Sequence, residues 1–194
     1  MKLNEAKTVA DLNPRAKKIL LTFVFLVVFF VSLVCIIPSD DANESGINEF
    51  NSYISGLDPW ISNKALEKYG FSTSKDLSTN GCTWNAKRTD FGITYLTKIY
   101  SPKDADKASS FQLTIMVEPG VENISKGKWM MKELAGIKYD GSDAAKAYEW
   151  VENNYNNNST IDIGGVRLSI LAPSNFVRML CINKINPETG QIYN

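Results

Sequence analysis

The stretch FQLTIMV, Phe111–Val117, sets Phe111, Leu113, Ile115 and Val117 on one side of an extended chain and Gln112, Thr114 and Met116 on the other. Successive side chains of a strand point to opposite sides, so this alternation marks a strand with one buried face. Pro119-Gly120 stops it. A strand with one dry face needs neighbours, and the flanking sequence offers them through tight turns rather than long crossovers.

Toward the N-terminus, Cys82–Arg88 places Cys82, Trp84 and Ala86 on one face and Thr83, Asn85 and Lys87 on the other. Asp90-Phe91-Gly92 then turns the chain into Ile93–Tyr100, which predicts a hairpin. A turn at Ser78–Gly81 leads into the first of these strands. Before it, Asp58-Pro59 reads as a helix start, with Asp at the N-cap and Pro at the first helical position. Trp60, Ile61, Ala65, Leu66 and Tyr69 follow, and Gly70 suits the residue just past the helix end.

Toward the C-terminus, Ser125 is expected to cap a helix running through Trp129, Met130 and Leu134 to a stop at Gly136. Ser142 is expected to cap a second, whose apolar stripe is Ala144, Tyr148, Val151 and Tyr155. Thr160–Ile163 and Val166–Leu171 flank Gly164-Gly165, the signature of a tight hairpin. Phe176–Ile182 is apolar on both faces apart from Arg178, which suits a central strand.

The order is helix, three strands, helices, three strands. It predicts an α+β domain with an antiparallel sheet of five to six strands packed by three to four helices. The order hints at a repeated α-β-β-β unit, without residue identity between the halves. In element order alone the plan resembles small α+β modules of bacterial surface proteins, such as PsbP-like or cystatin-like domains. Likeness of plan carries no function.

Far upstream, Ile19–Ile37 (ILLTFVFLVVFFVSLVCII) contains no charge, and Thr22 and Ser32 are its polar side chains. At about 1.5 Å rise per residue a helix of this length matches the hydrocarbon core of a bilayer. Lys2, Lys7, Arg15, Lys17 and Lys18 precede it, whereas residues 38–63 carry no basic side chain. The positive-inside rule therefore places residues 1–18 in the cytoplasm and the chain from residue 38 outside. Two other readings compete with an uncleaved single-pass anchor. A cleaved signal peptide would have a shorter apolar region and a small residue where Asp40 stands. A lipid attached at Cys35 would need a small residue where Val34 stands. The organisation that follows is a cytoplasmic tail 1–18, an anchor 19–37, a polar stalk 38–49 and an extracytoplasmic domain 50–194.

Five of the 21 basic and two of the 21 acidic residues lie before residue 38, leaving 16 against 19 outside. A near-neutral domain without a basic cluster has no footprint for nucleic acid. The chain has no histidine, which removes Ser-His-Asp and Cys-His catalysis and any zinc site with a His ligand. Asp140-Gly141-Ser142-Asp143 lacks the spacing of a calcium loop and reads as helix capping. No cofactor or metal is expected. The four tryptophans, Trp60, Trp84, Trp129 and Trp150, sit at amphipathic spacing and are expected in the core. Cys82 and Cys181 lie outside the membrane, where a disulfide can persist, and each falls in a strand-like run. A Cys82–Cys181 bridge is expected, with two buried thiols as the alternative.

Three functional classes fit. One is an anchored binding or interaction module that recruits a protein partner at the outer membrane face. Another is an accessory subunit of a membrane complex, which small-xxx-small spacing in the anchor would favour and which the bulky run lacks. The third is a histidine-free surface hydrolase built on converging carboxylates. The first needs only a binding surface, and it is the expected function.

Overall fold

A computed structural model describes residues 52–79, 81–102, 107–120 and 124–193. The tail, the apolar run with Cys35, and the stalk lie outside the described residues. Among the described residues no helix is long and apolar enough to cross a membrane.

The chain forms helix α1 (Pro59–Glu67), strands β1 (Ser72–Ser78), β2 (Gly81–Asp90), β3 (Ile93–Pro102) and β4 (Ser110–Val117), helices α2 (Ile124–Ala135) and α3 (Ala144–Asn154), and strands β5 (Ser159–Ile163), β6 (Val166–Ser174) and β7 (Val177–Lys184). The seven strands make one sheet in the order β1-β2-β3-β4-β7-β6-β5, antiparallel throughout. Two meanders, β1–β4 and β5–β7, are thus joined where β4 pairs with β7, from Ser110↔Asn183 to Met116↔Val177.

The fold is α+β, with one strand more than the upper end of the sequence expectation. The addition is β1, STSKDLS, an edge strand exposed along most of its length. It has neither a buried face nor an apolar alternation, so periodicity could not reveal it. Lys75 in its middle suits an edge that must not pair with another chain.

The three described helices share one face of the sheet. Leu66 of α1, Met130, Met131 and Leu134 of α2, and Ala147, Trp150 and Val151 of α3 pack in a single cluster with Ile99, Phe111, Leu113, Ile115, Leu168, Leu180 and Ile182. Helix α1 starts as read: Asp58 accepts from the Ile61 N–H and Pro59 opens the helix. The other two caps differ. Ser125 lies inside α2, which begins at Ile124. The N-cap of α3 is Asp143, which accepts from the Lys146 N–H, while Ser142 Oγ accepts from the Tyr139 N–H. The α3 stripe holds at Val151 and Tyr155, which are buried, and fails at Ala144, which is exposed; Ala147 and Trp150 complete the buried side.

Polar groups also lie in this core. The Arg178 guanidinium is buried and donates to the Tyr155 carbonyl at 3.0 Å, the Val177 carbonyl at 2.8 Å, Asn156 Oδ1 at 3.1 Å, and the Ser174 carbonyl. These acceptors sit at the C-terminal end of α3 and beside it, where the helix dipole favours a cation. Tyr155 and Tyr139 are buried phenols, and burial pushes both up to about 12. Thr97, also buried, has an Oγ1 without a hydrogen-bond partner among the described residues.

The expected Cys82–Cys181 bridge does not form; both residues are buried reduced thiols. Cys82 points toward the helices with Trp84 and Ala86. Cys181 alternates with Leu180 and Ile182, which face the helices, so it points to the opposite side. Strands β3 and β4 also separate β2 from β7. Three strand spacings are about 14 Å, twice the reach of a disulfide between Cα atoms. Cys181 shares its face with Val177 and Met179, and that face is not the one carrying the helices.

Candidate functional site

The β2–β3 turn is two residues long, closed by the pair Asp90↔Ile93. Its residues Phe91 and Gly92 have φ of 47° and 75°. Positive φ at both positions is the type I′ hairpin turn, which matches strand twist and favours Asn-Gly or Asp-Gly. Phe91 is the one non-glycine residue with positive φ among the described residues. A bulky L residue there costs about 1 kcal/mol, yet its ring is 76 % exposed. The turn thus carries its backbone strain at a residue whose side chain faces solvent.

The tip connects to helix α2 through a chain of contacts. Asp90 receives Arg88 Nη2 at 2.8 Å and lies 3.8 Å from Lys126 Nζ. The Lys126 ammonium sits 3.9 Å from the Phe91 ring centroid, a cation–π distance. One turn along α2 from Lys126 is Trp129, 47 % exposed, which meets Tyr69 edge-on with centroids 6.0 Å apart. Arg88 Nη1 donates to the Tyr69 carbonyl at 2.7 Å, and the Tyr69 hydroxyl donates to Glu133 at 3.3 Å. Burial, reinforced by the Glu133 charge, raises the Tyr69 phenol above its ordinary value. Three aromatic rings and two cations thus share one surface, held by side chains from α1's end, β2, the turn and α2.

The sequence reading placed every tryptophan in the core. Trp84 and Trp150 are there, but Trp60 is 55 % exposed and Trp129 nearly as open. The signal that could have located this surface was Asp90-Phe91-Gly92, where a turn that calls for Asn or Gly carries a phenylalanine.

Other groups are committed to structure. A cleft of about 290 Å³ is lined by residues 53–58 and Lys107, but its Asp58 caps α1. Asp140, next to it, accepts from Ser55 Oγ at 2.5 Å. The carboxyls whose titration shifts, Glu67, Glu152 and Asp162, all move down, each chiefly through a hydrogen bond from Lys64, Lys128 and Arg167 respectively. Such surface ion pairs lack the raised pKa of a carboxyl acting as general acid. No group of three or more metal-ligating side chains occurs among the described residues.

No family model, curated protein or solved structure matches the chain.

Proposed function

We propose that this chain is a membrane-anchored, extracytoplasmic binding module, and that Phe91, Trp129 and Tyr69 with Arg88 and Lys126 form its protein-binding surface. In this reading Ile19–Ile37 is an uncleaved single-pass anchor, the N-terminal tail is cytoplasmic, and the domain from about residue 50 onward lies outside. The observation that carries the binding role is the strained, solvent-facing Phe91 in a turn that would be more stable without it. Exposed aromatic rings and Arg are the side chains that dominate protein interfaces.

A photo-reactive phenylalanine analogue placed at position 91 or 129 of the full-length protein in intact cells tests the surface. Cross-linked adducts are expected at both positions and none at the equally open Leu77. Phe91→Asn should abolish the adduct formed at 129 while stabilising the fold by about 1 kcal/mol, because Asn tolerates the left-handed conformation. Adducts equal at all three positions, or a Phe91→Asn protein that is less stable and binds normally, would overturn the reading. Topology is tested separately by protease shaving of intact cells, which should remove the domain and spare residues 1–18.

A further inference from the structure

The described chain enters the sheet at one end and displays its aromatic turn at the other. The Ile54 N–H donates to the Ala108 carbonyl at 2.8 Å, and the Ala108 N–H to the Leu57 carbonyl at 3.3 Å. These contacts lie beside the Ser101-Pro102 end of β3, where Ser101 Oγ donates to the Lys107 carbonyl. The Phe91-Gly92 turn closes the opposite end of that strand, and the ten residues of β3 separate the two ends by about 30 Å. Helix α1 runs the same way. It starts beside Leu57, and beyond its end the Tyr69 carbonyl accepts from Arg88 within the aromatic surface. The large exposed apolar side chains divide accordingly. Phe91 and Trp129 stand at the turn end, and Trp60, Ile61 and Leu77 at the entry end. Leu77 belongs there because it pairs with Cys82, which pairs with Ser101. Trp60 and Ile61, 55 % and 59 % exposed, occupy the first turn of α1. Pro59, Asn63 and Leu66 form its buried side, so both point away from the sheet, and helical Cβ atoms lean toward the helix start.

We infer that the entry end of the domain rests on the outer surface of the bilayer through Trp60, Ile61 and Leu77, which holds the Phe91–Trp129 surface outward. The inference rests on the anchor reading and gives the anchored domain an orientation. Chain length is the first argument. Fourteen residues stand between Ile37 and Ser52, and even fully extended they reach at most about 50 Å. A tether that short sets an effective concentration on the order of millimolar at the lipid surface, so a contact too weak to hold a free domain suffices here. Side-chain chemistry is the second. A Trp joins a large apolar ring to one N–H donor, which suits the boundary between headgroups and acyl chains, and Ile and Leu add apolar surface. Tyr53 lies at the same end with the Lys107 ammonium 5.7 Å from its ring centroid. An aromatic ring and a long basic stem also suit headgroup level. Charge is the third. Residues 52–66 carry Asp58 and Lys64 as their charged side chains, so the contact is apolar and needs no anionic lipid.

Tryptophan emission supplies the test, because all four tryptophans lie beyond residue 51 and the two open ones, Trp60 and Trp129, stand at opposite ends. Full-length protein is reconstituted in phosphatidylcholine vesicles whose lipid is brominated high on its acyl chains, a short-range quencher. Flotation with the vesicles checks the anchor separately. Brominated lipid should quench the unsubstituted protein relative to plain lipid. Trp60→Phe should abolish that quenching, and Trp129→Phe should leave it unchanged. Ile61→Asp with Leu77→Asp, both at exposed positions, should lower it several-fold. A protein that floats without being quenched would overturn the inference and leave the anchor standing. Quenching carried by Trp129 would reverse the orientation and overturn it too. So would a Trp60 shielded from aqueous iodide in detergent and freed on dilution, which assigns the patch to a second copy. A protein that does not float overturns the anchor and the inference together. None of these outcomes depends on what Phe91 binds.

Discussion

The two faces of the central strands obey different rules. On the helix side, Phe111, Leu113 and Ile115 of β4 meet Leu180 and Ile182 of β7 in an apolar cluster, with Arg178 as the buried polar side chain of these two strands on that face. On the other side the same strands bury Gln112, Thr114 and Met116 against Val177, Met179 and Cys181. A strand pattern therefore reports which residues share a side, but not which side is wetter. Alternation of large aliphatic with polar side chains looked like core against solvent, and here it is core against a second, mixed interior.

That contrast can be broken by mutation. The largest effect is expected on the helix side: Phe111→Ala removes a fully buried ring and should cost about 3–5 kcal/mol in chemical denaturation followed by tryptophan fluorescence. Met116→Ala on the other face should cost less. Equal losses would mean that the two faces are packed alike. Next comes Arg178→Met, which keeps the aliphatic volume but leaves the carbonyls of Tyr155 and Val177 without their donor. A loss of about 2–3 kcal/mol is expected, and a neutral result would show that water replaces the guanidinium. The smallest effect has the opposite sign. Thr97→Val deletes a buried hydroxyl with no partner among the described residues and should stabilise by about 1 kcal/mol. A loss of stability there would reveal a water bound to the Thr97 hydroxyl.

Much of the fold was legible wherever one physical cause dominates. Asp58-Pro59, the Gly164-Gly165 turn and the alternation of Phe111–Val117 each have a single local explanation, and each stands where the sequence put it. Phe176–Ile182 reads as central because it is apolar on both faces apart from Arg178, and β7 lies between β4 and β6. The failures share a different cause. β1 has no apolar pattern because its exposed edge position demands none. Ser142 lost the cap to Asp143, its neighbour, since either side chain can accept a hydrogen bond there. The Cys82–Cys181 pairing required knowing which face of β7 the helices cover, and that depends on the whole sheet. The aromatic surface was least legible, because Trp129 at helical spacing looks the same whether its stripe faces inward or out.

The seam between β4 and β7 has a consequence for how the chain is made. β4 is synthesised roughly 60 residues before β7. Its other neighbour, β3, is already available, so the first meander can assemble as it emerges. Until β7 arrives, FQLTIMV presents an open edge with no charge, proline or glycine, the composition from which cross-β assemblies grow. During several seconds of elongation this protein is a candidate for chaperone capture. Slow translation between Val117 and Val177 would lengthen that exposure, and aggregation would then increase without any change in the finished fold.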